Sequence, residues 1–198
     1  MRFSTLFTAL PLRALALTAL AVGAAGVLWW FAAGGATVTE RTEDAAPARD
    51  KGPAFLLEDL RGERVSSSAF AGRVRVINVW ASWCPFCAKE LADFDALQRE
   101  LGERVVFLAI NRAEPAVDAR AFLEKTLGKD YALRVLLDPS DSFYKTIGGF
   151  AMPETLFLNA DGETVLHKRG PLSREEARAI VGRILEADAS LPRGREAS

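Results

Sequence analysis

The chain has 198 residues, and its 25 basic and 26 acidic side chains give a formal net charge of -1. That balance excludes the basic excess expected of a nucleic-acid binder and the acidic block of a solvating tail. One histidine and two cysteines are too few for a multi-histidine or four-ligand metal centre, so neither metal nor cofactor is expected.

From Ala14 to Thr39 no residue is charged. At about 1.5 Å per helical residue, this run can cross a hydrocarbon core of about 30 Å. Arg2 and Arg13 precede it, and Glu40, Glu43 and Asp44 follow. The positive-inside bias then predicts a cytoplasmic N-terminus over residues 1–13 and a transmembrane signal anchor over 14–36. Trp29 and Trp30 stand where an aromatic belt would meet the outer interface. The alternative is a cleaved signal peptide, for which Ala19-Leu20-Ala21 has the small-x-small form. Either route places the domain outside the cytoplasm, on the periplasmic side, in oxidising surroundings.

Residues 37–53 are polar, lack a hydrophobic period and read as a linker. The domain proper is expected over 54–190, with a flexible tail over 191–198. It opens with a hairpin: "AFLLEDL" and "ERVSSSAF" flank a turn at Arg61-Gly62. "RVRVINVWA", from Arg73 to Ala81, is too continuously apolar for a half-exposed strand and predicts one buried on both faces. A helix opens at Pro85, carries Leu91, Phe94, Leu97 and Leu101 on one stripe, and ends at Gly102. "RVVFLAI" predicts a second buried strand, and Ala116 to Gly128 a second amphipathic helix. A short strand over Leu133–Asp138 and a short helix stopped by Gly148-Gly149 follow. "TLFLNADGETVLHKR" reads as strand, Asp161-Gly162 turn and strand. Ser173 and Glu176 form a capping box for the closing helix. The order predicts an α/β domain, a mixed sheet with helices on both faces.

Both cysteines lie in "WASWCPFCAKE" (Trp80 to Glu90), two residues apart. As a staple, the pair would close a four-residue loop worth only about 2 kcal/mol of chain entropy. As zinc ligands they lack partners, since His167 lies in a predicted strand 80 residues on. As a redox pair they are well placed. Cys84, at the helix N-cap, meets free N–H groups and the positive end of the dipole, which favour an exposed, nucleophilic thiolate. Cys87, one turn along, is close enough to bridge and sheltered enough to resolve a mixed disulfide.

"VINVWASWCPFCAKE", followed by "MPETLFLNADGE" and "RGPL", resembles the membrane-anchored thioredoxin-like proteins of the TlpA, ResA and CcmG/DsbE type over about residues 54–185. The resemblance implies a thioredoxin fold with an added N-terminal hairpin behind one transmembrane helix. It implies an extracytoplasmic thiol-disulfide oxidoreductase, mostly a reductant, often serving cytochrome c maturation. Clients would be proteins with cysteine pairs or disulfides, and a transmembrane protein would donate electrons. By position, Cys84 matches the nucleophile and Cys87 the resolving thiol. Pro153 matches a cis-proline facing the pair, with Met152 before it set to pair with a substrate strand. Trp83, Pro85 and Phe86 complete the substrate-facing set.

Asn78 stands where cytoplasmic thioredoxins have a buried acid. Glu114 resembles an acidic residue placed near the cysteines and is expected to accept or relay the Cys87 proton; the alternative is an exposed loop glutamate. Glu90 is expected on a solvated helix face, Trp80 in the core, and His167 in a structural role. Pro-Phe between the cysteines departs from the Pro-Pro or Pro-Thr of many relatives, and Leu91 replaces a usual helix proline. A disulfide-introducing oxidant and a non-catalytic binding module therefore stand as alternative functions.

Overall fold

The computed structural model describes residues 50–190. The expected anchor, the alternative cleavage site, most of the linker and the tail lie outside the described residues. Among the described residues no helix is long and apolar enough to cross a membrane.

Seven strands form one mixed sheet: β1 (Leu56–Asp59), β2 (Arg64–Ser66), β3 (Val74–Trp80), β4 (Val105–Arg112), β5 (Arg134–Asp138), β6 (Glu154–Leu158) and β7 (Thr164–Arg169), in the order β2-β1-β5-β4-β3-β6-β7. β3, β4 and β5 run parallel, β6 is antiparallel to β3, and β7 is antiparallel to β6. Every residue of β3 is buried, as its Val- and Ile-rich sequence predicts, Arg75 and Asn78 included. The opening hairpin joins the sheet by pairing β1 with β5. β2 is shorter than expected and stops at Ser66, whose hydroxyl caps a 3-10 turn over Ser67–Phe70.

Among the described residues four α-helices flank the sheet: α1 (Cys87–Leu101), α2 (Ala116–Leu127), α3 (Ser142–Thr146) and α4 (Arg174–Ser190). α1, α2 and α4 bury Leu91, Phe94, Leu97, Leu123, Val181 and Ile184 against Val76 and Phe107 on one sheet face. Each large side chain so removed from water contributes about 1.5–3 kcal/mol. The opposite face is covered by α3 and the 3-10 turn, through Phe143, Tyr144 and Phe70 against Ile77, Leu108 and Leu156. Ser173 and Glu176 exchange the two bonds of a capping box at the start of α4. α1 begins at Cys87, two residues later than the Pro85 start expected. Pro85 and Phe86 form a turn in which the Cys87 N–H donates to the Cys84 carbonyl.

The chain enters this body beside the β6–β7 turn. The Lys51–Glu163 bridge and the bonds from Gly52 N to Gly162 O and from Thr164 N to Asp50 O hold it there. That is the Arg75 end of β3, because Arg75 pairs with Leu158. The cysteine loop leaves from the other end, at Trp80.

Candidate active site

Cys84 and Cys87 form a disulfide with Cα atoms 5.4 Å apart. The loop carrying Cys84 leaves β3 at Trp80 and turns through Ala81, whose carbonyl accepts from the Cys84 N–H. Phe86, the N-cap of α1, makes no side-chain cap, so the first-turn N–H groups have no side-chain acceptor there. In this state Cys84 is only 2 % exposed, against the expectation of an exposed sulfur. The bonded pair packs with Trp80, Leu91 and Phe94, while Trp83, Pro85 and Phe86 stand out into solvent around it.

The second loop of the site precedes β6. Glu154 pairs with Val79, so Met152 and Pro153 lie beside the Trp80 end of β3, and the peptide bond between them is cis. Met152 is half-buried and Pro153 buried. Phe150 is the most exposed large apolar side chain among the described residues, at 77 %. The fully buried carboxylate of Glu154 accepts from the Phe150 and Ala151 N–H groups at 2.8 and 2.7 Å, folding this loop. His167 holds the other carboxylate oxygen at 2.7 Å, in keeping with its expected structural role.

Besides Glu154, two further carboxylates of the site are missing from solvent. Glu90 is buried, at 2 % exposure, where a solvated helix face was expected. It lies three residues after Cys87, on the same side of α1. Its oxygens accept from Asn78 Nδ2 at 2.6 Å and from the Leu172 N–H at 2.9 Å, and Asn78 also donates to Thr155. Burial pushes its carboxyl up to about 7, with the Asn78 and Leu172 bonds acting in the opposite direction. Asn78 thus hydrogen-bonds a buried acid supplied by the neighbouring helix. The sequence signal was present: an acid inside the stripe of Cys87, Leu91 and Phe94.

Glu114, also buried, accepts from the Ser82 N–H at 2.8 Å, from the Ser82 hydroxyl, and from Asn111 Nδ2 at 2.7 Å. It therefore ties the end of β4 to the loop ahead of Cys84. Gln at this position keeps one acceptor of two, so Glu114→Gln is expected to lower stability by about 1–3 kcal/mol in urea unfolding.

A strand-to-helix turn bearing a closable cysteine pair, set beside a cis-proline loop on a mixed sheet, defines a thioredoxin-like thiol-disulfide oxidoreductase. The chain belongs to the Redoxin family, which it matches over residues 47–184, and within it to the TlpA, ResA and CcmG/DsbE type. It is 35 % identical over 146 residues to the thiol:disulfide interchange protein DsbE of Allochromatium vinosum, covering 70 % of this chain and 78 % of that one. It is 26 % identical over 152 residues to the sporulation thiol-disulfide oxidoreductase A of Bacillus subtilis, covering 76 % and 87 %. Among solved structures it resembles a DsbE-type thiol:disulfide interchange protein from Chlorobium tepidum, with a TM-score of 0.61 at 26 % identity, covering 70 % of this chain and 96 % of that one.

Proposed function

We propose that this oxidoreductase works outside the cytoplasm as a reductant of protein disulfides, with Cys84 as nucleophile and Cys87 as resolving thiol. The observation that carries the reading is the Cys84–Cys87 bond at an uncapped helix N-terminus, beside the Met152–Pro153 loop. The thiolate of Cys84 attacks a client disulfide, forming a mixed disulfide and expelling one client thiolate. Cys87 then attacks the Cys84 sulfur. The client leaves as a dithiol, and two electrons have passed from the enzyme, which is left oxidised. A dithiol on a membrane-bound donor restores it. Met152 offers backbone to a client strand, while Trp83, Pro85, Phe86 and Pro153 border the groove.

The Cys87 proton has two buried carboxyls to go to. We assign it to Glu90, whose affinity for protons lies near neutrality and whose position is one turn from Cys87. Glu114 fixes the Cys84 loop from the other side, so Glu114→Gln is expected to leave the pH profile of exchange in place.

Equilibration with glutathione tests the direction: a potential below about -200 mV supports a reductant, and one near -120 mV would make the protein an oxidant. Cys87→Ser should accumulate client mixed disulfides on Cys84, and clients with Cys-x-x-Cys-His haem-binding pairs would tie the protein to cytochrome c maturation. The anchored topology rests on the uncharged run from Ala14 to Thr39 and its flanking charges. A periplasm-dependent reporter fused after Arg49 is expected to be active, and activity from a cytoplasm-dependent reporter alone would overturn that topology.

A further inference from the structure

Arg112 ends β4 on the sheet face opposite α1, the face on which Leu108 and Ile110 cluster with Phe143 and Tyr144. Its guanidinium lies 3.8 Å from the centroid of the Tyr144 ring on α3 and 5.9 Å from that of the Trp83 ring in the cysteine loop. Asp141 holds it edge-on with two bonds, Nε to Oδ1 at 2.7 Å and Nη2 to Oδ2 at 2.5 Å. Both side chains of that pair are mostly buried, at 17 % exposure. A planar, bidentate clamp of this kind fixes the guanidinium plane, which a lysine could not do. Tyr144 is fixed in turn: its hydroxyl donates to the Ala151 carbonyl at 2.7 Å, one residue ahead of Met152–Pro153.

We infer that Arg112 is a positioning residue for polypeptide clients, coupling the Trp83 wall of the cysteine loop to the cis-proline loop through Tyr144. The connected contacts run Trp83, Arg112, Tyr144, Ala151, so both walls of the client groove are referred to one rigid cation. A small disulfide needs only the Cys84 sulfur. An extended polypeptide must engage both walls at once, and only that reaction depends on their spacing.

The inference rests on the exchange chemistry proposed for Cys84 and Cys87, and two oxidants separate the two ideas. Reduced enzyme is mixed with 5,5'-dithiobis(2-nitrobenzoic acid), a small disulfide, and with scrambled ribonuclease, an unfolded polypeptide carrying disulfides. Arg112→Gln is expected to slow the second reaction about tenfold and the first less than twofold. Arg112→Lys, which keeps charge but loses the planar clamp, should recover only part of the loss. Tyr144→Phe keeps the ring under Arg112 and removes the hydroxyl that ties it to Ala151; it should slow the polypeptide reaction selectively and guards against a misfolded Arg112 variant. Equal polypeptide rates for wild type and Arg112→Gln, including both at the uncatalysed level, would overturn the coupling, as would parallel losses on both oxidants. Failure of the wild type to reduce the small disulfide would instead sink the exchange chemistry itself.

Discussion

Cys84→Ser is expected to bring disulfide exchange down to the uncatalysed rate and to yield no mixed disulfide with any client, whereas Cys87→Ser should still form one and hold it. The asymmetry follows from the loop. Cys84 stands ahead of an α1 N-terminus without a side-chain cap, so a negative sulfur there meets unpaired N–H groups and the positive end of the helix. Cys87 is already inside the helix, fully buried. A serine hydroxyl at position 84 has no comparable acidity and is not a nucleophile toward disulfides. Mass spectrometry of thiol-trapped protein reads both outcomes, and a mixed disulfide on Cys87 in the Cys84→Ser protein would reverse the assignment. The burial of Cys84 in the disulfide form adds a corollary. Reducing the bonded pair requires a donor sulfur to reach past Trp83, Pro85 and Phe86, so bulky reagents should reduce it more slowly than small ones.

Glu90→Gln should remove a pH dependence from both stability and exchange. The carboxyl is raised from its ordinary 4.5 to about 7 by burial, so between those values the folded state binds more protons than the unfolded chain. Stability from this group is therefore fully present below about pH 4.5 and is lost as pH rises to about 7. The difference amounts to about 3 kcal/mol. Urea unfolding of wild type at pH 5 and pH 8 should show that decline, superimposed on the titration of other groups, and the glutamine variant should lack it. The inflection near neutrality in the rate of exchange should disappear in the same variant. An unchanged stability slope would mean that Glu90 ionises freely at its site, which is incompatible with its burial against Asn78 and Leu172.

How far the sequence could be read depended on the range of the interaction. Features written within a few residues were legible: the continuous apolar run of β3, the Gly102 stop of α1, the Asp161-Gly162 turn, and the Ser173–Glu176 cap. The cysteine pair was legible for the same reason, its two sulfurs being one helical turn apart. The Met152–Pro153 cis bond came from family resemblance and not from local chemistry, which favours trans. What could not be read were side chains whose surroundings come from distant segments. Glu90 looked solvated because its partners, Asn78 and Leu172, are 12 and 82 residues away. Arg112 carried no signal, since its meaning depends on Trp83, Asp141 and Tyr144 meeting around it. The depth of Cys84 was hidden too, because the aromatic residues flanking it turn outward while the sulfur turns in.

The short pairing of Asp50–Gly52 with the β6–β7 turn has a mechanical corollary. Seven residues of β3, roughly 20 Å of rigid strand, separate that point of attachment from the loop where sulfur chemistry occurs. Pulling or immobilising the protein by residues upstream of Asp50 therefore loads the pole remote from the reactive bond. Phe150 and Trp83, both exposed, lie at the opposite end of that strand from a load applied through Asp50.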